Sequence, residues 1–182
     1  SKLVSLNARD AAERGAQIVT RTRVISANRL DGLWQIETEG PQGRHHYRAR
    51  ALVNAGGPWV EDVIRNVARI NSSEGVRLVR GSHIITRKLF DHDKCYFFQG
   101  EDGRIIFTIP YETDFTLIGT TDADHKGSLD DIHATPEEID YICQSAGAYF
   151  RQPITAADVI YSFAGVRPLV DDGSGKPETA SR

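Results

Sequence analysis

Short strand-like runs separated by turn residues constrain the fold of this sequence more than any other feature. Asp31-Gly32 is a strong signal for a two-residue hairpin turn, and residues 33–39 after it alternate apolar and polar side chains. Strands are predicted over residues 17–20, 23–29, 33–39 and 45–50. We therefore expect an antiparallel meander in the first part of the chain, preceded by a short helix over residues 7–14 that ends at Gly15.

A second sheet region is predicted after the polar residues 71–75, which are typical of a boundary between structural regions. Its strands are predicted at residues 76–79, 83–86, 95–99, 104–109, 115–119 and 158–170. Thr135, Pro136 and Glu138 together predict a helix start, because they supply an N-cap, a proline at the first helical position and a capping-box acid. Apolar residues then recur at helical spacing, so this helix should pack one face on the sheet. The polar residues 171–182 predict a mobile tail.

Residues 51–59 combine a small apolar run with two adjacent glycines and a tryptophan, ahead of a helical run over residues 60–68. This pattern predicts a buried strand, a tight glycine turn and a helix. Adjacent glycines let a backbone approach a ligand closely, and a helix N-terminus favours an anion. A nucleotide diphosphate or the edge of a flavin would suit such a turn. The alternative is a structural strand-to-helix turn with Trp59 in the core.

The overall composition excludes several classes of function. With 22 basic and 25 acidic residues among 182, the net charge is −3, so nonspecific nucleic-acid binding is not expected. The apolar runs are far shorter than the roughly 20 residues that cross a bilayer. Two cysteines without Cys-x-x-Cys spacing and histidines without metal-ligand spacing predict reduced thiols, a cytosolic setting and no metal site. Because the sequence contains no methionine, we expect it to be an internal piece of a longer protein.

Two polar side chains in apolar runs are candidates for chemistry. His83 follows Gly81 and Ser82 between apolar segments, where an imidazole can take the proton of an alcohol; the alternative is a structural histidine bonded to the backbone. Arg167 needs an anionic partner, which is either a ligand carboxylate or phosphate or an internal aspartate. Residues 119–122 end another apolar strand with two hydroxyls and a carboxylate, a pattern that suits a site or a strand cap equally well.

Five motifs follow one another along the chain. They are NAGGPW at residues 54–59, VRLVRGSHII at 76–85, IPY with FTLIGTTD at 109–122, TPEEIDYI at 135–142 and SFAGVRPL at 162–169. Together and in this order they resemble the flavin-dependent, aerobic glycerol-3-phosphate dehydrogenases of the D-amino-acid-oxidase-like superfamily. Each motif is weak alone, but five with compatible spacing are specific, and the resemblance covers nearly the whole chain.

The resemblance implies a mixed α+β and α/β fold. Residues 1–70 would be the central part of a doubly wound FAD-binding domain, built from a helix, a β-meander and a strand-turn-helix. Residues 71–182 would form an antiparallel-sheet substrate (cap) domain with helices on one face. The family's Gly-x-Gly-x-x-Gly fingerprint for the FAD diphosphate does not occur in this sequence, so we expect weak or absent FAD binding and no activity in the isolated piece.

The resemblance also implies roles for individual residues. His83 is the expected catalytic base, and Arg167 and Arg182 are the expected ligands of the substrate phosphate. Val24 should lie beside the adenine of FAD. The other expected cofactor contacts are Asn54, Ala55, Gly56, Gly57, Trp59, Gly81, Ser82 and Gly165, and residues 81–83 are expected to face the flavin ring.

The implied reaction is the oxidation of sn-glycerol 3-phosphate to dihydroxyacetone phosphate by hydride transfer to FAD, with the electrons passed to a quinone. A quinone acceptor implies a cytoplasmic protein that associates peripherally with the inner membrane, and the resemblance leaves room for a homodimer. Two alternatives stay open. One is a related FAD-dependent amino-acid oxidase of the glycine or sarcosine oxidase type, in which Arg167 holds a carboxylate; the other is a noncatalytic docking module.

Overall fold

The structure, a computed structural model, describes residues 2–72 and 75–171 and divides into two compact units. Residues 2–55 and 62–72 belong to the first unit, and residues 56–61 and 75–171 to the second. The change between units after residue 72 falls within the polar stretch at residues 71–75. Residues 56–61 join the second unit, although the resemblance assigns them to the FAD domain. Of the predicted tail at residues 171–182, Asp171 is the last residue of a strand, and residues 172–182 lie outside the described residues.

The first unit opens with helix α1, Lys2–Glu13, which begins earlier than predicted and has no buried residue. It ends at Gly15, where φ is +94°. The amide of Gly15 donates to the carbonyl of Ala12 at 3.0 Å, and the amide of Ala16 donates to the carbonyl of Ala11 at 2.9 Å. These two bonds form a Schellman cap, which requires the left-handed backbone that glycine adopts most readily. The predicted end of the helix is confirmed.

The predicted meander is confirmed as a three-stranded antiparallel sheet in the order β1-β2-β3. Its strands are β1 (Arg23–Leu30), β2 (Leu33–Gly40) and β3 (Gly43–Ala49), whereas residues 17–20 form no strand. Asp31 and Gly32 both have positive φ, 52° and 77°, as a type I′ hairpin requires. Ala27 and Thr38 of this sheet are buried, so the unit has a small core.

The prediction of a buried strand at residues 51–55 is wrong. No described strand pairs with this segment, and Val53 is 84% exposed. An extended segment forms a strand only where a neighbouring backbone supplies hydrogen-bond partners. The predicted helical run does follow, as a 3₁₀ turn at Gly57–Trp59, helix α2 at Val60–Asp62 and a π-helical turn at Val63–Val67. Trp59 is 50% exposed and so is not a core residue.

The second unit is built on an antiparallel sheet. Its strands are β4 (Gly75–Arg87), β5 (Tyr96–Gln99), β6 (Ile105–Tyr111), β7 (Phe115–Gly119), β8 (Ala123–Asp124) and β9 (Val159–Asp171). Hydrogen-bonded neighbours follow the order β5-β6-β7-β4-β8, and β9 pairs with β4. Where the sequence predicts two strands around residues 80–82, β4 is continuous, because β9 pairs with it from Gly75 to Thr86.

Helix α3, Pro136–Gly147, covers one face of this sheet, as predicted. Its N-cap Thr135 and the N3 residue Glu138 form the expected capping box. The core lies between Ile84, Ile106 and Ile118 of three strands and Ile142 with its neighbours on the helix. An antiparallel sheet with a helix on one face is therefore confirmed. Within the described residues, no helix is both long and apolar enough to cross a bilayer.

Truncating the centre of this core should destabilise the protein. Ile142 is completely buried, so Ile142→Ala leaves a cavity and should lower the free energy of unfolding by about 2 to 5 kcal/mol. Gln144→Ala, an exposed position on the same helix, should change it by less than about 0.5 kcal/mol. Urea denaturation followed by circular dichroism measures both. Equal effects of the two substitutions would show that α3 does not pack as described.

Candidate active site

The pairing of β4 with β9 decides which side chains share a surface. His83 lies opposite Phe163, and Gly81 lies opposite Gly165. Side chains alternate between the two faces of a strand, and Ile84 belongs to the core beneath α3. The odd-numbered residues from Gly75 to Ile85 of β4, and from Tyr161 to Asp171 of β9, therefore occupy the face that is turned away from α3; beyond them the register shifts. Arg167, two residues beyond Gly165, shares this face, which we call the open face.

The His83 ring is held between two neighbours. It stacks on Phe163 with a centroid distance of 5.0 Å and an interplanar angle of 6°. On β7, Gly119 pairs with His83, and a Cβ atom at that glycine would overlap the imidazole ring. The Nδ1 atom of His83 is buried and has no hydrogen-bond partner among the described residues. The ring orientation is thus set by packing and not by a hydrogen bond from a described residue to Nδ1.

The charge state of His83 follows from its surroundings. Burial lowers its pKa below the ordinary value of 6.5, and the positive charge of Arg167 lowers the pKa further. The imidazole is therefore neutral at neutral pH and is able to accept a proton.

The guanidinium of Arg167 is held from one side. Its Nη2 atom donates to the carbonyl oxygen of Thr121 at 3.1 Å and forms an ion pair with the carboxylate of Asp122. The internal aspartate that the sequence left as an alternative partner is therefore present. In the described part of the chain, Nε and Nη1 donate to no residue, and the side chain is 35% exposed. These remaining donors are available to a second anion.

Two glycines form the floor between His83 and Arg167. A Cβ atom at Gly81 would lie 2.7 Å from Oγ1 of Thr120 and 3.0 Å from Nη2 of Arg167, so only glycine leaves room for the guanidinium. A Cβ atom at Gly165, directly opposite, would meet nothing within 4 Å. The backbone of β9 at Gly165 is thus open to close approach, whereas the space above Gly81 is taken by Thr120 and the guanidinium. A neutral base, a cation and an accessible backbone meet on one surface.

The other predicted site residues lie in several places. Ser82 is completely buried, and its position in the strand puts its side chain on the α3 side, so it does not accompany His83 on the open face. The 3₁₀ turn with Gly57 and Trp59, which Gly56 precedes, lies beside β9 in the second unit. Three further predicted contacts belong to the first unit: Val24, Asn54 and Ala55. Arg182 lies outside the described residues, and all of these cofactor and substrate roles stay predictions.

Sequence analysis missed the residues that hold Arg167 in place. Residues 119–122 suit a site or a strand cap equally well by sequence, without indicating which group they bind, and Glu138 is predicted only as a helix cap. The one available signal was the pair of hydroxyls and the carboxylate that end β7. Nothing in the sequence shows that this segment meets Arg167, which is 45 residues further along than Asp122.

Other features of the surface do not match the predicted site. A groove of about 530 Å³ in the first unit is lined by residues 17–22 and 40–42 with His45 and Tyr47, and contains none of the predicted site residues. Within residues 2–72 and 75–171, no group of three or more histidine, cysteine and acidic side chains is arranged to hold a metal ion. The open face of the second unit is therefore the candidate site that both sequence and geometry favour.

Comparison with known proteins defines the class to which this fold and site belong. The family model described as FAD dependent oxidoreductase matches residues 1–178. The chain belongs to this family, whose cofactor is FAD.

Among characterised proteins, the chain is 48% identical to D-erythritol 1-phosphate dehydrogenase of Brucella abortus and 47% identical to glycerol-3-phosphate dehydrogenase of Pseudomonas aeruginosa. Both alignments cover all of this chain but only 37% and 36% of the relatives, so the chain spans little more than a third of their length. Among solved structures, glycerol-3-phosphate dehydrogenase from Bacillus halodurans complexed with FAD is similar, with a TM-score of 0.79 and 32% identity. The match covers 89% of this chain and 34% of that one.

Removing the space that Gly119 leaves should disturb His83 specifically. Gly119→Ala places a methyl group inside the imidazole ring and should lower the free energy of unfolding by about 1 to 3 kcal/mol, with displacement of the ring. At Gly127 a Cβ atom would make only ordinary contacts, at 3.5 Å, so Gly127→Ala is the control and should cost less than about 1 kcal/mol. Denaturation and a crystal structure of Gly119→Ala measure these effects. An unmoved imidazole would contradict the packing described.

The pKa of His83 should respond to Arg167. In the folded protein it should titrate below 6.5, and Arg167→Gln should raise its pKa towards that value without reaching it, because burial remains. A lowered pKa means that His83 resists protonation when folded, so its contribution to stability is complete above about pH 6.5 and is lost as the pH falls below it. NMR titration of the imidazole, assigned by its loss in His83→Gln, measures this. If the pKa of His83 is unchanged in Arg167→Gln, the two side chains do not interact electrostatically.

Proposed function

We propose that this chain is the part of an FAD-dependent enzyme that binds sn-glycerol 3-phosphate and orients it for oxidation to dihydroxyacetone phosphate. The observation that carries the proposal is the placement of neutral His83 and partly engaged Arg167 on either side of a glycine floor. Membership of the FAD family supports it. So do relatives named for this activity, although they are almost three times as long as this chain.

The residues of the open face fit a flat cofactor and a small anionic substrate. Gly165 leaves open space above the backbone, so a planar ring can approach β9 closely there, next to the guanidinium that Gly81 accommodates on the opposite strand. The imidazole of His83 lies on the same face, with a buried Nδ1 that has no partner among the described residues. Gly81 and Gly165 are the residues we assign to the ring, with the turn at Gly57–Trp59 as a further contact. When bound, FAD supplies the two-electron redox chemistry.

Arg167 binds the substrate phosphate in this proposal. Asp122 and Thr121 engage Nη2 only, so Nε and Nη1 each keep an N–H group that can donate a charge-assisted hydrogen bond to a phosphate oxygen. Arg182 is proposed as the second phosphate ligand on the basis of the family resemblance. Holding the phosphate fixes the position of the carbon that is oxidised, which supplies catalysis through orientation.

His83 accepts the proton of the substrate hydroxyl. Its neutral imidazole is available as a base, and Nε2 is the atom we assign, because Nδ1 is buried in the packed ring. The nearby Arg167 disfavours the imidazolium that forms. A phosphate dianion on Arg167 counters that positive charge, so substrate binding makes proton transfer to His83 easier.

The resemblance alone supports the wider setting of the reaction. It favours a quinone as electron acceptor, and with it a cytoplasmic protein that associates peripherally with the inner membrane. A homodimer is compatible with the same resemblance. Reduction of a quinone analogue by the full-length enzyme, with and without membrane vesicles, tests the acceptor and the association together.

A second candidate substrate is D-erythritol 1-phosphate. The relative named for that activity is 48% identical to this chain, against 47% for the glycerol-3-phosphate dehydrogenase, so the comparisons favour neither name. Both substrates carry a phosphate ester beside a hydroxylated carbon, and the roles of Arg167 and His83 are the same for both. The two differ in chain length, because the erythritol backbone has one carbon more.

Losing the guanidinium should weaken substrate binding. In the full-length enzyme, Arg167→Ala should raise the KM for sn-glycerol 3-phosphate by an amount equivalent to about 2 to 4 kcal/mol, because a charged hydrogen-bonded pair is lost. Arg151→Ala, an exposed arginine of the same unit, is the control and should leave KM unchanged. Steady-state kinetics on preparations with matched FAD content measure both. A normal KM in Arg167→Ala would remove this residue from the site.

Substrate profiling should separate the competing functions. We expect anaerobic bleaching of the flavin by sn-glycerol 3-phosphate or D-erythritol 1-phosphate, since both offer a phosphate to Arg167, and none by glycine or sarcosine. Bleaching by the amino acids alone would favour the oxidase alternative, in which Arg167 holds a carboxylate. A full-length protein that carries no FAD would favour the docking module.

A further inference from the structure

Glu138 does more than cap helix α3. Its side chain is only 10% exposed, and both carboxylate oxygens are engaged. Oε2 accepts from the amide of Thr135 at 3.0 Å and from Nε of Arg80 at 3.0 Å, while Oε1 accepts from the hydroxyl of Thr121 at 2.9 Å. A capping box needs only the bond to the Thr135 amide. The carboxylate therefore ties the start of α3 both to β4 and to the segment after β7.

Thr121 carries this connection onward to Arg167. Its Oγ1 atom accepts from the amide of Ser82 at 2.9 Å while donating to Glu138. Its carbonyl oxygen accepts from Nη2 of Arg167 at 3.1 Å, and the next residue, Asp122, pairs with the same nitrogen. Thr121 is 2% exposed, so water does not replace these bonds easily. Thr121 is thus anchored in the core through its side chain and holds the guanidinium through its backbone carbonyl.

The ionisation state of Glu138 suits a carboxylate that accepts several hydrogen bonds. Burial raises the pKa of its carboxyl group, but hydrogen bonds from the Thr135 amide, Arg80 and Thr121 outweigh that effect and leave the pKa below its ordinary range. The group is therefore an ionised acceptor at neutral pH. Because the carboxylate only accepts, the hydroxyl of Thr121 must donate to it, and its lone pairs remain for the amide of Ser82.

The geometry points to Glu138 and Thr121 as positioning residues for Arg167, an inference that rests on the proposed phosphate-binding role of that arginine. The carbonyl of Thr121 and the carboxylate of Asp122 hold Nη2, which fixes the orientation of the guanidinium and hence the directions of its other donors. A donor group that is already fixed loses less freedom when a ligand binds. Glu138 contributes by preventing the segment at residues 120–122 from shifting.

The experiment is a double-mutant cycle in the full-length holoenzyme. Thr121→Val keeps the shape of the side chain but removes the hydroxyl, and should raise the KM for sn-glycerol 3-phosphate about tenfold with a smaller change in kcat. In the Arg167→Ala background, the same substitution should have no further effect on KM, because the group that it positions is gone. Thr121→Ser restores the hydroxyl and should recover most of the affinity.

Thr116→Val is the matched control. Thr116 is also buried, and its Oγ1 atom accepts from the amide of Leu89 at 3.1 Å, but it has no contact with Arg167. Thr116→Val should therefore lose a comparable hydrogen bond without changing the KM for sn-glycerol 3-phosphate. If Thr121→Val fails to accumulate with bound FAD, Glu138→Gln takes its place under the same criterion, because its amide cannot accept from all three donors.

The outcomes separate the inference from the function on which it rests. Suppose that Arg167→Ala raises KM. If Thr121→Val then leaves KM unchanged, or if the effects of the two substitutions on KM add in the double variant, the positioning role is overturned and the proposed function stands. A Thr116→Val variant with the same rise in KM as Thr121→Val also overturns it, since the effect would then be general destabilisation. An unchanged KM in Arg167→Ala overturns both.

Discussion

The antiparallel pairing of β4 with β9 is the constraint on which the rest of the second unit depends. Two strands of 13 residues each are aligned so that one glycine faces another and a histidine faces a phenylalanine. Because a shift of one residue would turn every side chain to the opposite face, this register alone decides that His83 and Arg167 share a surface. It also places Ile84 under α3, so the same pairing builds the core and the candidate site.

The site combines two opposing electrostatic demands in a small space. Arg167 must stay charged to attract an anion, yet its charge disfavours protonation of the base that we assign beside it. Asp122 compensates part of this charge and leaves the rest for a ligand. The fixed acceptors behind the guanidinium belong to the polar interior around Glu138. Polar groups in that interior are tolerated because they bond to one another, which is the condition for burying them.

Local sequence signals predicted the elements whose stability is local. The type I′ turn at Asp31 and Gly32, the glycine at the end of α1 and the capping box at Thr135 all appear as expected, because each is decided by residues within one turn. The strand predicted at residues 51–55 is wrong, since a strand requires a partner that local sequence does not specify. For the same reason, two predicted strands around residues 80–82 form one, as β9 bridges the gap.

By itself the sequence determined most of the helices and strands, the class of the fold, the family and the identity of His83 and Arg167 as candidates. These follow from composition, spacing and motifs, which are properties of neighbouring residues. Only the tertiary structure decided that Ser82 turns away from His83, that Gly119 makes room for its ring and that Asp122 and Thr121 hold Arg167. Such contacts join residues up to 46 positions apart, and strand register and packing, not local preference, bring them together.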